Sequence, residues 1–583
     1  MENKYKVTNL KIYSYMKKSN EKNLSNNALT YFQNQITYKE LLVYIEKVAI
    51  SLKKLGIEKG DYVPVCLPNM PQTIIIFYAL NKIGAIPNMI PVLASTDEFK
   101  HYLTETPAKN FIMFRDYYSK VKNIIPKTSI KRTIIISPTT FIPKDILKKQ
   151  ITIKNILTSG MLDLQTNFSL KNKILTWNDI VKLSENEKNV ETEAFSFYDT
   201  ALLSHTGGTT GTPKSAEFIN ENFNAMCEEY KEVKAPFKSG DKILTVLPPF
   251  INYGLCNNIH MPLSFGIETI IVPTLDPKEA STLFKMYKPN HFMCVAHYFE
   301  YMMSDKNFEG MDLSFLKTIT YGGAPFSKES EKKFNEFLYN HGALNVKICN
   351  GYGMTESTSS IAYEREKNNK FKLYPLPYTN MKIVNPETKE LLPDGTPGEL
   401  CVSGPTIFKG YYKNQAETEK ILEQDQANIM WLHSGDIAIK AADSSIKILG
   451  RIKRIYPTMD ISNGNVAKIF PDNIENILKK SQKIKECAVE CKKHKERVNV
   501  PFAFVVLEEN ATEEEALQDL KEKSLELNNY SRPYHFIFIN EIPKSSGGKV
   551  EYKQLIKLIP ENYEEVIEEI DYKINKRKVR KRW

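Results

Sequence analysis

Residues 206–214 read Thr-Gly-Gly-Thr-Thr-Gly-Thr-Pro-Lys, a composition suited to wrapping the phosphates of a nucleotide. Glycines let backbone N–H groups turn toward an anion, the threonine hydroxyls add donors, and Lys214 adds positive charge. The apolar residues 200–203 read as the end of a strand and those from Asn220 as a helix. The loop is therefore expected at a strand-to-helix turn inside an α/β fold. It is not a Walker loop, which needs glycine directly before the lysine, where Pro213 stands. A Gly/Thr-rich run ending in lysine also describes an ordinary polar loop, so its meaning depends on the rest of the chain.

At 583 residues the chain exceeds a single hydrophobic core, so two or more domains are expected. Its 42% hydrophobic and 25% charged residues are those of a globular protein and exclude global disorder. The N-terminus lacks the apolar core of a secretory signal, which argues for a cytoplasmic protein. The most apolar window, Thr73 to Leu93, is interrupted by Asn81, Lys82, Pro87 and Asn88 and reads as buried helix, turn and strand rather than a membrane span. Eight cysteines without a CxxC pair point to reduced, buried thiols, and nine histidines without HExxH spacing argue against a transition-metal site. The net charge of +10 is spread over every segment. It leaves a surface receptive to polyanions such as nucleotides or phosphopantetheine carriers, with no sign of a nucleic-acid site.

Apolar strands alternate with amphipathic helices from about residue 38 to 350, the texture of layered α/β structure with much parallel sheet. From about 380 to 450 the pieces become shorter and β-rich, which reads as a small barrel-like or twisted sheet capping the same domain. After Gly450-Arg451 a further α/β pattern has the size of a small separate domain. The last stretch divides by sign, acidic from Glu561 to Asp571 and basic from Lys573 to Arg582. It reads as a solvated terminal helix, with peripheral contact to an anionic membrane as the rival reading. No internal repeat or low-complexity tract is present.

Further segments join the phosphate loop: Tyr321-Gly-Gly-Ala-Pro325, Asn350-Gly-Tyr-Gly-Met-Thr-Glu356, Gly398-Glu-Leu with Gly410-Tyr-Tyr412, Ser434-Gly-Asp436 with Gly450-Arg451, and Pro543-Lys-Ser-Ser-Gly-Gly-Lys549. In order and approximate spacing they resemble the core motifs of the AMP-forming adenylate superfamily, which includes acyl-CoA synthetases, peptide-synthetase adenylation domains and luciferases. The likeness begins at Gly60-Asp61 and Leu67-Pro-Asn69 and runs to about residue 557. It implies an N-terminal adenylate-forming domain over 1–452, a small mobile α+β C-terminal domain over 453–560, and a charged tail over 561–583.

The resemblance also implies roles, each compatible with the residue's chemistry. Thr206, Gly207, Gly208, Thr209, Thr210 and Lys214 would hold phosphate. Gly323, Ala324, Pro325, Asn350, Gly351, Tyr352 and Gly353 would line the adenine side, where Asn350 offers an amide edge and Tyr352 a flat face. Thr355 would contact the α-phosphate and Glu356 would hold Mg²⁺. Asp436 suits a ribose diol, Arg451 the same sugar or the phosphate, and Ile448 the face of the base. Lys549 would bridge the entering carboxylate and the α-phosphate, where two anions meet in the transition state. Lys453 would be the hinge, and Gly464 would lie near the incoming thiol.

Tyr253, Asn257, Gly323, Gly351 and Gly353 are expected to line the acid pocket, the three glycines leaving room for a chain. No aspartate follows the Phe250 region, which disfavours an α-amino acid. Three departures stand out. Ser215 replaces a usual glycine after Pro-Lys, Ile251 occupies a place that often holds histidine or an aromatic residue, and residues 454–471 are longer and less regular than the usual hinge segment. The expected activity is ATP-dependent ligation of a fatty or related hydrophobic carboxylic acid to CoA through an acyl-adenylate. Loading of an acyl carrier protein is the alternative, and nucleotide binding without turnover a third reading.

Overall fold

A computed structural model describes residues 5–148, 174–185, 187, 189–206, 213–274, 276–324, 326–367, 370–460, 465–544 and 550–572. The chain forms two compact units, Met1–Met381 with Val402–His433, and Lys382–Cys401 with Ser434–Trp583.

The first unit is a layered α/β structure. Its strands begin with β1 (Asn27–Tyr31), β2 (Asn34–Thr37), β3 (Tyr62–Cys66), β4 (Ile86–Met89), β5 (Asn110–Phe114), β6 (Arg132–Ile136) and β7 (Ile174–Thr176). There follow β8 (Thr200–His205), β9 (Ser215–Ile219), β10 (Lys242–Thr245), β11 (Glu268–Ile271), β12 (His291–Cys294), β13 (Thr318–Gly322), β14 (Ile348–Gly353), β15 (Ser360–Lys367) and β16 (Lys370–Pro375).

One sheet runs β16-β15-β14-β13-β12-β10-β11-β1-β2, parallel from β14 to β1 and antiparallel at its two ends. The other runs β9-β8-β4-β3-β5-β6-β7, parallel except for the β8–β9 pair. Strands β4, β5 and β11 are buried at every residue, as parallel strands covered on both faces must be.

Helix α1 (Pro71–Lys82) is buried on all sides, starts with Pro71 and delivers the chain through Gly84 into β4. The apolar window thus becomes buried helix, turn and strand as its interruptions imply. Among the described residues no helix is long and apolar enough to cross a membrane. None of the eight cysteines is in a disulfide, and all but Cys349 are buried. Helix α2 (Thr96–Thr104) opens on a reciprocal cap between Ser95 and Glu98 and ends at Glu105.

The segment 206–214 does not lead from strand to helix. It joins β8 to β9, which pair antiparallel with His205 opposite Ser215, and helix α3 (Asn220–Glu232) begins only after β9. The five residues Ser215–Ile219 are almost wholly buried, so their ladder to β8 prevails over an early helix start.

The β-rich stretch after residue 380 is shared between the units: 402–433 stay with the first, and 382–401 and 434 onward join the second. In chain order it supplies β17 (Asn380–Val384), β18 (Gly398–Ser403), β19 (Gly410–Tyr411), β20 (Leu422–Gln424), β21 (Met430–Lys440) and β22 (Ile446–Arg451). Strand β19 adds to the first unit's second sheet beside β9.

In the second unit β21 and β22 are antiparallel. A hairpin of β23 (Tyr456–Asp460) and β24 (Asn465–Ile469) follows, then a sheet of β25 (Ile484–His494), β26 (Val498–Leu507) and β27 (His535–Phe538). The acidic stretch from Glu561 is not a solvated helix. Only Tyr563–Val566 is helical, Tyr563, Ile570 and Tyr572 pack into the unit's cores, and Glu564 and Glu569 pair with Lys495 and Arg497. Its tyrosines and Ile570 are drawn onto cores that only the folded unit supplies, which a helix standing free in solvent could not reach. The basic residues 573–583 lie outside the described residues.

Candidate active site

The two stems of the 206–214 segment are held together at their base. Thr206 N–H donates to the Lys214 carbonyl at 2.9 Å, and Lys214 N–H to Thr206 Oγ1 at 3.4 Å. The Lys214 ammonium forms an ion pair with Glu417, on the short helix Gln415–Glu419, and lies 4.8 Å from the Tyr411 ring centroid. Glu417 also pairs with Lys420. Lys214, then Lys420, hold the Glu417 carboxyl down at about 2.

Tyr411 sits beside this loop because β19 pairs with β9, setting Tyr411 opposite Ala216. Its hydroxyl donates to Glu356 Oε1 at 2.6 Å. Burial, reinforced by Glu356, keeps that phenol protonated. Thr355 and Glu356 lie in a 3₁₀ turn after β14, tied down by Phe408 N–H on the Glu356 carbonyl at 2.9 Å and Thr358 Oγ1 on the Thr406 carbonyl at 2.6 Å. The first unit thus brings Thr206, Lys214, Tyr411, Thr355 and Glu356 into one neighbourhood. Glu356 is a hard oxygen donor of the kind Mg²⁺ takes, and Tyr411 orients it through one oxygen.

The ends of β13 and β14 carry the glycine-rich motifs. Gly323 has φ +76°, and Asn350 N–H donates to Glu364 Oε2 at 3.1 Å. Gly351 and Gly353 differ in what their missing side chains allow. A Cβ on Gly351 would meet Thr320 Cγ2 at 3.5 Å, ordinary contact, whereas one on Gly353 would lie 1.7 Å from the Ser359 carbonyl oxygen. Glycine at 353 is thus required by its own backbone, and only 323 and 351 leave space.

Tyr253 and Asn257 belong to a π-helical turn, Tyr253–His260, packed on these strand ends. The Tyr253 ring lies 3.4 Å from where a Cβ of Gly322 would be, and Asn257 Nδ2 donates to Ser360 Oγ at 3.3 Å and to Tyr230 Oη at 3.4 Å. Tyr253 Oη and Asn257 Oδ1 are buried without a partner.

Asp436, Ile448, Arg451 and Lys453 belong to the second unit. Asp436 and Arg451 are register partners of β21 and β22, and Arg451 Nε donates to Asp436 Oδ1 at 2.8 Å. Arg451 Nη1 also donates to the Ser434 carbonyl at 3.1 Å, while Ile448 faces Ala438. Lys453 lies in a 3₁₀ turn at Ile452–Arg454. Gly207, Gly208, Thr209, Thr210, Pro325, Gly464 and Lys549 lie outside the described residues.

The motifs of the sequence give Glu417 no part, and Tyr411 none beyond its place in Gly410-Tyr-Tyr412. Glu417 is 203 residues from its partner Lys214, so only the folded sheet brings them together.

Residues 16–412 match the model of the AMP-binding enzyme family, and residues 473–549 match that of the AMP-binding enzyme C-terminal domain. Among curated relatives, a long-chain-fatty-acid–CoA ligase of Bacillus subtilis (strain 168) is 26% identical over 543 residues, 92% of each chain. A probable 4-coumarate–CoA ligase 1 of Dictyostelium discoideum is 28% identical over 523 residues, 88% of each. The fold is similar to ATP-bound MatB from Rhodopseudomonas palustris, with TM-score 0.78 at 19% identity over 95% of this chain and 100% of that one. It is equally similar to the anthranilate CoA ligase AuaEII in complex with anthranoyl-AMP, with TM-score 0.78 at 18% identity over 94% and 97%. By the match that covers most of its length, this chain belongs to the AMP-binding enzyme family.

Proposed function

We propose that the chain is an AMP-forming acid–CoA ligase that activates a hydrophobic carboxylic acid, of the fatty or arylpropenoic kind that its relatives are named for. In the first half-reaction a carboxylate oxygen attacks the α-phosphorus of ATP, pyrophosphate leaves, and an acyl-adenylate forms. In the second the CoA sulfur attacks the acyl carbon, its proton passes to solvent, and AMP leaves.

The observation that carries this reading is the grouping of Lys214, Tyr411 and Glu356 at the root of the Gly/Thr-rich segment. A cation, a neutral phenol and a carboxylate meet where β8, β9 and the turn after β14 converge. This is an arrangement for phosphate with an accompanying divalent cation. Mg²⁺ held there by Glu356 would neutralise phosphate charge. The residues' own part is to orient the anion and, through Lys549, to stabilise charge as the carboxylate attacks. Eight cysteines outside any disulfide, seven of them buried, favour a reducing compartment, and we place the enzyme in the cytoplasm.

The test is a panel of carboxylic acids scored for pyrophosphate release, each with ATP and Mg²⁺, and each with CoA, with a phosphopantetheinylated carrier protein, or with neither. Release that depends on acid and yields acyl-CoA supports the reading. Thioester formed only on the carrier would make the protein a loading ligase. No release with any acid would leave a nucleotide-binding protein and overturn the proposal.

A further inference from the structure

The strand ends that flank the 206–214 segment are joined by a chain of polar groups, buried at Asn88, His205 and Ser215 and half-buried at Glu105, that the proposed chemistry does not use. Ser215 Oγ lies 2.6 Å from Glu105 Oε2 and 3.0 Å from His205 Nδ1, and His205 Nε2 lies 2.6 Å from Asn88 Oδ1. Four elements contribute: Glu105 caps α2, Asn88 is in β4, and His205 and Ser215 are the last register pair of β8 and β9. Asn88, Ser215 and His205 are 0, 2 and 9% exposed, and the Tyr102 ring packs on the imidazole with centroids 4.1 Å apart.

Counting protons orders this chain. Asn88 Oδ1 can only accept, so His205 Nε2 carries a hydrogen and, in the neutral ring, Nδ1 is an acceptor. Burial pushes the His205 imidazole down to about 3, so the ring is neutral at ordinary pH. Ser215 has one hydrogen and must give it to Nδ1. Its contact with Glu105 is then satisfied only if the carboxyl is protonated and donates to Ser215 Oγ. Burial, the largest influence, favours that form; a hydrogen bond from Ser215, were its hydroxyl to turn that way, and the charges of His101 and Lys413 favour the carboxylate, and Tyr102 and Tyr62 are the other titratable groups facing Glu105. The direction is Glu105 to Ser215 to His205 to Asn88, with one proton per link.

We propose that Ser215 is a positioning residue for the nucleotide: it relays a hydrogen bond from protonated Glu105 to His205 and so locks together the two stems of the phosphate segment. The proposal rests on the nucleotide-binding role given to that segment above. Glycine, the usual residue at this position in the family the motifs resemble, could neither accept from Glu105 nor donate to His205. If Glu105 loses its proton, Ser215 must turn its hydrogen toward the carboxylate. His205 then has to move its own hydrogen to Nδ1, which sets two lone pairs against each other at Asn88 unless that amide turns. The lock is therefore firm at low pH and weakens as pH rises through the Glu105 value.

The full chain, with Ser215→Gly, Ser215→Thr and Glu105→Gln, supplies the test. Steady-state pyrophosphate release should show Ser215→Gly raising KM for ATP roughly tenfold, the loss of about one buried hydrogen bond, with kcat little changed. Ser215→Thr keeps the hydroxyl and should restore KM. Glu105→Gln keeps a donor at every pH and should abolish the rise of KM with pH expected of the wild type. Long-range ¹⁵N correlation spectra of histidine-labelled protein should show His205 as the Nε2–H tautomer in the wild type, altered in Ser215→Gly. An unchanged KM in Ser215→Gly, a threonine variant that behaves like glycine, or a wild-type His205 in the Nδ1–H form would each overturn the proposal. Should Ser215→Gly fail to fold, the threonine and glutamine variants and the tautomer decide. A wild type that binds no ATP would instead refute the functional reading, with the His205 tautomer still reporting on the proton chain.

Discussion

Asp436 and Arg451 face each other across β21 and β22, and the arginine Nε donates to a carboxylate whose side chain is 5% exposed while the guanidinium remains half in solvent. The pair is thus a fixed acceptor held by a partner that can afford to be shared. One carboxylate oxygen is committed to Arg451, and the same group is the one proposed to take a ribose diol. Asp436→Ala should remove hydrogen bonds to a charged acceptor worth about 1.5–3 kcal/mol each, raising KM for ATP roughly ten- to a hundredfold. Arg451→Lys, which loses the planar fork but keeps the charge, should cost less. Equilibrium binding of ATP to the two variants checks the order; equal affinities would remove Asp436 from the sugar site.

Lys214 is engaged before any phosphate arrives, because Glu417 holds its ammonium. A nucleotide must take the lysine from that carboxylate. Glu417→Gln should therefore tighten ATP roughly two- to fivefold, the range of a partly exposed ion pair, with the gain fading at high salt. Lys214→Ala should weaken ATP instead. If Glu417→Gln weakened ATP as well, the glutamate would be supporting the lysine rather than competing for it.

Gly351 and Gly353, two residues apart in one motif, should respond in opposite ways to alanine. At 353 the new methyl would collide with the Ser359 carbonyl, so Gly353→Ala should lower the melting temperature and with it every activity. At 351 the methyl finds ordinary contacts with Thr320 and Ser360. Gly351→Ala should melt within a few degrees of the wild type and shift preference toward smaller acids in the substrate panel. Unaltered preference would take Gly351 out of the pocket wall.

In the second unit a single guanidinium serves two carboxylates. Arg454 bonds Asp472 and, at 2.8 Å, Glu475, donates to the Val489 carbonyl at 2.7 Å and lies 3.7 Å from the Tyr552 ring centroid. Burial first, and the neighbouring Glu475 and Asp436 charges after it, outweigh Arg454 and push Asp472 up to about 6 from an ordinary 3.8. The folded state therefore keeps a proton that the unfolded chain gives up sooner. Its share of stability is present below the ordinary value, is lost as pH rises toward 6, and stays lost above. Asp472→Asn should flatten that dependence, and thermal unfolding of the full chain from pH 4.5 to 7.5 should show a shallower fall in melting temperature. Identical slopes in variant and wild type would assign the dependence elsewhere.

What could be read from sequence was what is local or periodic. The buried helix Pro71–Lys82 announced itself as an apolar run broken by Pro87 and Asn88, and the parallel strands as short runs buried on both faces. The nucleotide motifs were legible because glycine, threonine, aspartate and lysine at fixed spacing have few other uses together. The antiparallel pairing of β9 with β8 was not, since Ser215–Ile219 is a strand only by virtue of β8 beside it. Nor were Glu417 beside Lys214 or Glu105 beside Ser215, partners 203 and 110 residues apart that no spacing rule connects. The acidic C-terminal stretch misled through its charge, because its tyrosines and isoleucines find cores that only the folded second unit supplies.

Lys549 closes the motif Pro-Lys-Ser-Ser-Gly-Gly-Lys and carries the sharpest prediction about the chemistry. As a carboxylate approaches the α-phosphate, negative charge on both reactants must be brought within bonding distance. A cation bridging them stabilises the transition state more than either ground state. Lys549→Ala should therefore leave ATP affinity nearly intact and reduce acid-dependent pyrophosphate exchange by about a hundred- to a thousandfold, the usual effect of deleting one such electrostatic group. The second half-reaction makes no such demand, because the acyl-adenylate is already a good acyl donor and its leaving group is AMP. The same variant supplied with a synthetic acyl-adenylate and CoA should form thioester at close to the wild-type rate. Exchange that survived in Lys549→Ala, or thioester formation lost along with exchange, would show that the lysine serves something other than the adenylation step.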